Sequence, residues 1–251
     1  MSKKILITGA SSGFGKAMAY RFAKDGWNLV ITGRREDRLK ELADALISSY
    51  RVDVSVKVFD VQKRVEVFKA LSDDPNLYDL DVLVNNAGLA LGRDYFDEAS
   101  LEDWETMIDT NLKGLLYVSK AVLPYFIKSG KGHIINIGST AGKEVYEKGN
   151  IYCATKTSVE AISQAMRIDM LRHQIKVTAI HPGAAETEFS IVRFKGDEAT
   201  AKTVYDGYQP LKAEDVADTA FYCANLPEHV CINSIVMTCT SQANSFYLLR
   251  K

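Results

Sequence analysis

Short apolar runs alternate along the chain with longer segments whose apolar positions recur at helical spacing. The run K-I-L-I-T precedes a helix predicted from about Phe14, N-L-V-I-T precedes one near Glu36 to Ser48, and V-S-V-K-V-F precedes one around Arg64 to Leu71. D-V-L-V-N then leads into a long helix from about Leu101 to Lys128, and H-I-I-N-I into one from about Ile151 to Arg172. K-V-T-A-I is followed by a helix near Glu214 to Ala224 and by a last strand, I-N-S-I-V-M-T. This β-α alternation predicts an α/β fold, a single doubly wound parallel sheet of seven strands with helices on both faces. Residues 1–251 are expected to form one domain, with no linker, repeat or low-complexity tract. The stretch from His181 to Leu211 keeps no single period and is too long for an ordinary connection, so residues 184–211 are expected to form a lid over the ligand crevice.

Composition narrows the partners. At 251 residues and 47% apolar content the chain can bury a large core. Its 31 Lys and Arg against 32 Asp and Glu, without a basic run interleaved with aromatics, exclude an electrostatic footprint for nucleic acid and point to a small metabolite. The apolar run Ile5, Leu6, Ile7 after M-S-K-K is too short for a signal-peptide core or a membrane span, so no membrane partner and a cytoplasmic location are expected. Cys153, Cys223, Cys231 and Cys239 form no C-x-x-C and have no His at ligand spacing, which predicts buried free thiols and no metal.

T-G-A-S-S-G-F-G, residues 8–15, follows the first strand and opens the first helix. Glycines there permit a tight turn and close backbone approach, and free N–H groups at the helix start attract a pyrophosphate. Gly9, Ser11, Ser12, Gly13, Phe14 and Gly15 are therefore candidate cofactor residues. At the end of the second strand, where a carboxylate would grip a ribose 2′-hydroxyl, the chain reads T-G-R-R. Gly33 leaves room, and Arg34 and Arg35 offer charge-assisted donors to a 2′-phosphate, which predicts NADP; two solvated arginines opening a surface helix are the alternative. Asp60, followed by Val61 just after the third strand, is placed to accept from the adenine amine or to cap the next helix.

Tyr-x-x-x-Lys occurs at Tyr20/Lys24, Tyr152/Lys156, Tyr208/Lys212 and Tyr247/Lys251. Ligands of a parallel sheet bind outside the carboxyl ends of its strands, and this sorts the pairs. Tyr20 faces away from that edge, and Pro210 interrupts the third pair. Ser139 and Ser234 both stand thirteen residues before a tyrosine, but only Ser139 follows its strand at the carboxyl end. Tyr152 is thus the candidate acid/base, Lys156 the cation one helical turn away that favours phenolate, and Ser139 the donor to the substrate oxygen. A core tyrosine, a snorkelling lysine and a strand-end cap are the plainer alternatives.

T-G-x-x-x-G-x-G, N-N-A-G at 85–88, Asn111, Ser139, Tyr152 with Lys156, and Pro182-Gly183 together resemble the motif set of the short-chain dehydrogenase/reductases, in family order and spacing. The resemblance implies a Rossmann-type fold and a CH–OH oxidoreductase. It also implies that Asn111 holds a water joining Lys156 to solvent, that Asn86, Ala87 and Gly88 line the cofactor, and that Pro182, Gly183 and Thr187 flank the nicotinamide amide. Between about Ile5 and Phe246 the chain is similar to the NADP-dependent 3-hydroxy acid dehydrogenases acting on serine and allo-threonine. That likeness implies reversible oxidation of a small 3-hydroxy acid to its semialdehyde by a homotetramer. A 3-oxoacyl carrier-protein reductase or broad carbonyl reductase is the alternative enzyme; a cofactor-sensing binding protein would ordinarily lack one of Ser139, Tyr152 and Lys156. A 3-hydroxy acid needs a cation for its carboxylate, for which Arg193 is the candidate, a surface arginine packed on Phe189 and Phe194 being equally compatible. K-E-V-Y-E-K at 143–148 departs from the uncharged, aromatic-containing loop expected there and alters one wall of the pocket.

Overall fold

Alternate residues of the central strands go to opposite sides of one sheet. In β1 (Lys4–Ile7), Ile5 and Ile7 join one core while Leu6 joins the other, and β2 (Asn28–Gly33) and β4 (Val82–Asn85) divide in the same way. The computed structural model describes residues 2–251. With β3 (Val54–Val58), β5 (Gly132–Ile137), β6 (Ile175–Pro182) and β7 (Ser234–Met237), the strands form a seven-stranded parallel sheet of order β3-β2-β1-β4-β5-β6-β7. The chain makes a single Rossmann-type α/β domain.

Helices α1 (Gly13–Lys24), α2 (Glu36–Tyr50) and α9 (Ala213–Ala224) cover the face bearing Ile5 and Ile7. There Phe22, fully buried, meets Trp27 and Phe221 edge to face. The opposite face carries α3 (Arg64–Leu71), α5 (Leu115–Ser129) and α6 (Asn150–Met170). Each fully buried aliphatic or aromatic side chain contributes about 1.5–3 kcal/mol, so both layers are held by the same non-directional force. β1 and β4 are neighbours whose connections run in opposite directions, which opens the ligand crevice at their carboxyl ends.

One expectation is corrected: the long helix predicted over 101–128 is not regular, since α4 (Leu101–Ile108) passes through a π-turn, Asp109–Gly114, into α5. The segment 184–211, expected as a lid, contains α7 (Glu188–Arg193) and α8 (Glu198–Thr203), each opened by a side-chain cap, from Thr187 and Asp197. No helix among the described residues is long and apolar enough to cross a membrane.

Candidate active site

The turn between β1 and α1 is built around three glycines. Gly9 and Gly13 have φ of +66° and +51°, where a side chain would be strained, and a Cβ on Gly15 would lie 2.4 Å from the Gly9 carbonyl. Thr8 and Asn86 brace the turn: the Thr8 hydroxyl accepts from the Asn86 and Ala87 N–H groups, and the Asn86 amide donates to the Thr8 and Gly9 carbonyls at 2.8 and 3.2 Å. The result is a cavity lined by Gly9, Ser11, Ser12, Gly13, Phe14, Arg34, Arg35, Asp60, Val61, Asn86, Ala87, Gly88, Tyr152, Lys156 and Thr187. Gly15 lies outside that lining; its role is the close packing of helix against turn.

Arg34 is largely exposed, 3.8 Å from Asp60, whose carboxylate accepts from Gln62 N–H. Lys63, not Asp60, is the residue that precedes α3, so Asp60 forms a local turn and does not cap the helix. Arg35 reaches across the turn to the Ser11 and Ser12 hydroxyls at 3.1 and 2.6 Å and pairs with Glu188 of the lid at 3.0 Å. Arg38, unnoticed in the sequence, joins Glu188 at 2.9 Å. Burial pushes the Glu188 carboxyl up, but Arg35 and Arg38 outweigh it and hold the group below the usual carboxylate range. Two hydroxyls, free helix N–H groups and a cluster of guanidiniums fit a dinucleotide carrying a 2′-phosphate.

Ser139 leaves β5 in extended conformation and caps the short turn Thr140–Gly142, its Oγ accepting from Ala141 N–H at 3.1 Å. The cap uses a lone pair only, so the O–H stays free to donate. Tyr152 enters from the first turn of α6, nearly buried, with its ring 5.7 Å from Phe189. Lys156 lies one turn on, 5.9 Å from the Tyr152 ring, and donates to the Ile137 carbonyl at 3.0 Å. Burial brings the Lys156 ammonium down to about 8. Burial, and secondarily Tyr146, raises the Tyr152 phenol above its ordinary range against the opposing pull of the Ser139 hydroxyl and Arg193. Desolvation dominates at Tyr152 and favours the protonated phenol.

Asn111 sits on the π-turn with both of its amide N–H groups engaged. It donates to Leu89 O at 2.8 Å and Thr155 Oγ at 3.1 Å and accepts from Leu89 N–H at 2.8 Å. A Cβ on Gly88 would lie 3.1 Å from Asn111 Oδ1 and 3.5 Å from Lys156 Nζ, so the two side chains face one another across the glycine. Behind them Asn85, Ser119, Asn136 and Ser163 form a buried hydrogen-bond chain that ties β4, β5, α5 and α6 together.

A second cavity of about 250 Å³ adjoins the first, and Ser139, Tyr152, Pro182, Gly183 and Thr187 line it. Arg193 lines it too, its guanidinium 5.7 Å over the Tyr152 ring and hydrogen-bonded to Tyr146 Oη at 3.2 Å. Phe189 and Phe194 line the same cavity. Among the described residues no carboxylate pairs with Arg193, and Arg93 lies on the same wall. In the 143–148 loop the charged side chains do not line the cavity: Lys143 pairs with Glu160, and Glu144 accepts from Ser245 N–H. Tyr146 alone turns in. Gln242 and Ser245 also reach this wall from the chain's last segment, a contribution that no local pattern announces. Cys153 is buried beneath Tyr152, its thiol pushed up by burial, which makes it inert. The other pairs fall elsewhere: Tyr20 packs on Tyr50, Tyr208 lies against Tyr205 and Arg250, and Tyr247 is exposed. No group of metal-ligating side chains occurs among the described residues.

A profile of the family described as short chain dehydrogenase matches residues 3–197, and the chain belongs to this family. Sulfoacetaldehyde reductase 2 of Chromohalobacter salexigens is 46% identical over 249 residues, 98% of each chain. The NADP-dependent 3-hydroxy acid dehydrogenase YdfG of Salmonella typhi is 45% identical over 241 residues, 95% of this chain and 96% of that one. Among solved structures, the closed form of serine dehydrogenase complexed with NADP+ superposes with a TM-score of 0.92 at 43% identity, covering 99% of both chains.

Proposed function

We propose that the protein is an NADP-dependent oxidoreductase that interconverts small 3-hydroxy acids with their 3-oxo acids: L-serine and 3-hydroxypropionate with the semialdehydes, and L-allo-threonine with the 3-ketone. The observation that carries this reading is the Arg193 guanidinium above the Tyr152 ring, a cation within one small molecule's length of the reacting oxygen. NADP would be held by the 8–15 turn, with Arg34 and Arg35 available to its 2′-phosphate and Thr187 to its nicotinamide end. When bound it supplies or accepts the hydride at the carbinol carbon. Ser139 donates its O–H to the substrate oxygen. Tyr152 gives its phenol proton to the aldehyde oxygen in reduction, leaving phenolate, and in oxidation the phenolate takes the proton of the substrate hydroxyl. Lys156 passes that proton onward to a water, for which Asn111 Oδ1 keeps one lone pair open as acceptor. Tyr146 and Gly92 O aim the Arg193 fork at the substrate carboxylate.

Arg93 beside Arg193 favours a second acid, a sulfonate, on the same wall. An acyl chain on a carrier protein fits poorly, because the lid helices and the 242–245 segment wall the cavity. Exposed Leu101, Leu116, Ile127, Ile168 and Leu171 along α4 to α6 support assembly into a homotetramer, which we expect to work in the cytoplasm.

Steady-state assays of L-serine, L-allo-threonine and 3-hydroxypropionate with NADP and NAD, and of malonic semialdehyde, sulfoacetaldehyde and an acetoacetyl thioester with NADPH, test the assignment. Turnover of the acids and semialdehydes with the phosphorylated cofactor is expected; preference for the thioester overturns the substrate class. Tyr152→Phe should lower kcat about 10²–10⁴-fold while NADP binding, followed by fluorescence, changes little. Retained catalysis in that variant overturns the mechanism.

A further inference from the structure

His181, the residue before Pro182 at the end of β6, is fully buried directly behind the serine turn. Its ring packs so closely on Gly138 that a Cβ there would lie 2.3 Å from Nδ1. Nδ1 is 3.2 Å from the Ser139 carbonyl, and Nε2 is 2.6 Å from Glu160 Oε2, a contact without a well-aligned hydrogen bond. Both neighbours are acceptors. A neutral imidazole has one N–H and can satisfy only one of them, whereas an imidazolium donates to both.

Nδ1 holds the aligned contact, but Glu160 of α6 is charged and nearer, so the single proton of a neutral ring goes to Nε2 after a small ring or carboxylate rotation, leaving a lone pair on the Ser139 carbonyl. That carbonyl keeps its other hydrogen bond, from Gly142 N–H at 2.9 Å. The remaining charge around the ring is Lys143, from the loop after Gly142, 3.0 Å from Glu160 Oε2 and 3.2 Å from the Ser234 hydroxyl of β7. We propose that His181 is a positioning residue for Ser139: its ring grips the serine's carbonyl when doubly protonated and lets it go when neutral. Burial and Lys143 hold the imidazole below its ordinary value, against the pull of Glu160 and the Ser139 carbonyl, so the grip sets in on the acid side.

The inference rests on the reading of Ser139 as the group that holds the substrate oxygen. It is tested by the pH profile of kcat for NADPH-dependent reduction of malonic semialdehyde, in the wild type and in four variants. His181→Asn keeps a donor toward Ser139 and cannot titrate; His181→Gln keeps one toward Glu160. The wild-type profile should step below pH about 6.5, the ordinary imidazole value. The step should vanish in both histidine variants, with His181→Asn on the acid plateau and His181→Gln on the neutral one, about threefold to tenfold apart, as the loss of one hydrogen bond predicts. Lys143→Met should move the step to higher pH and Glu160→Gln to lower pH, with the KM for NADPH unchanged. A purely structural residue produces no such opposed shifts.

A step that persists in His181→Asn, or that Lys143→Met and Glu160→Gln leave in place, overturns the inference. If the histidine variants fail to fold, Lys143→Met, at a partly exposed side chain, and the ¹⁵N chemical shifts of the His181 ring still decide: both nitrogens should be protonated at acid pH and Nε2 alone at neutral pH. A ring neutral as the Nδ1–H tautomer overturns it. Wild-type turnover that Ser139→Ala leaves intact, or no turnover of malonic semialdehyde at all, instead sinks the functional reading, and the nitrogen shifts judge the ring separately.

Discussion

Arg193 and Arg35 are both guanidiniums aimed into cavities, but they differ in what already touches them. Arg193 has only neutral partners, Tyr146 Oη and Gly92 O, so its charge is available to an acid. Arg193→Ala should raise the KM for 3-hydroxypropionate about 10–100-fold, the worth of a charged hydrogen bond, while an uncharged aldehyde such as propanal is affected far less. Equal losses for both substrates, measured by steady-state kinetics, would show that the arginine only packs. Arg35 is anchored by Ser11, Ser12 and Glu188. Arg35→Ala should weaken NADP about tenfold or more and NAD much less, as calorimetric titration would reveal. A matched loss for the two cofactors would place the 2′-phosphate elsewhere.

Among the elements, the π-turn at Asp109–Gly114 has the clearest energetic signature. It brings Asn111 against both backbone groups of Leu89. Asn111→Leu should leave that buried N–H and C=O unsatisfied and cost about 2–4 kcal/mol, readable as a lower urea midpoint. Nothing in the spacing of apolar residues announces such a turn, because both flanking segments still read as one continuous apolar helix. Strands and helices were legible because buried strands and amphipathic helices leave periodic traces. Ser139, Tyr152, Lys156 and the glycine turn were legible because each sits at a fixed place relative to a strand end. Tyr146, Arg38, His181, Glu160 and the 242–245 segment were not, since they reach the site through contacts between residues far apart in sequence. The 143–148 loop shows the difference: its composition suggested a charged wall, yet only the fold decides that Tyr146 lines the cavity and the charged side chains do not.

The whole molecule carries its acid sensitivity near the middle of the sheet. His133 on β5 is buried, its Nε2 2.8 Å from the Thr178 hydroxyl, which itself donates to Ile232 O. Burial lowers the imidazole to about 3. The unfolded chain therefore binds a proton that the folded one refuses between pH 6.5 and about 3, and stability falls as pH drops through that window. The loss should reach on the order of 4 kcal/mol, and His133→Gln should flatten it in thermal melts at graded pH. A variant as acid-labile as the wild type would assign the loss to other groups. At the far edge of the fold, Lys251 N–H donates to Gly207 O and Arg250 holds the Val204 and Asp206 carbonyls, fastening the 245–251 segment to the lid. Lys4, by contrast, opens β1 at the amino edge of the sheet, away from both cavities. For anyone handling the protein this settles where a purification tag belongs: a fusion after Lys251 pulls on the roof of the substrate pocket, and one before Ser2 does not.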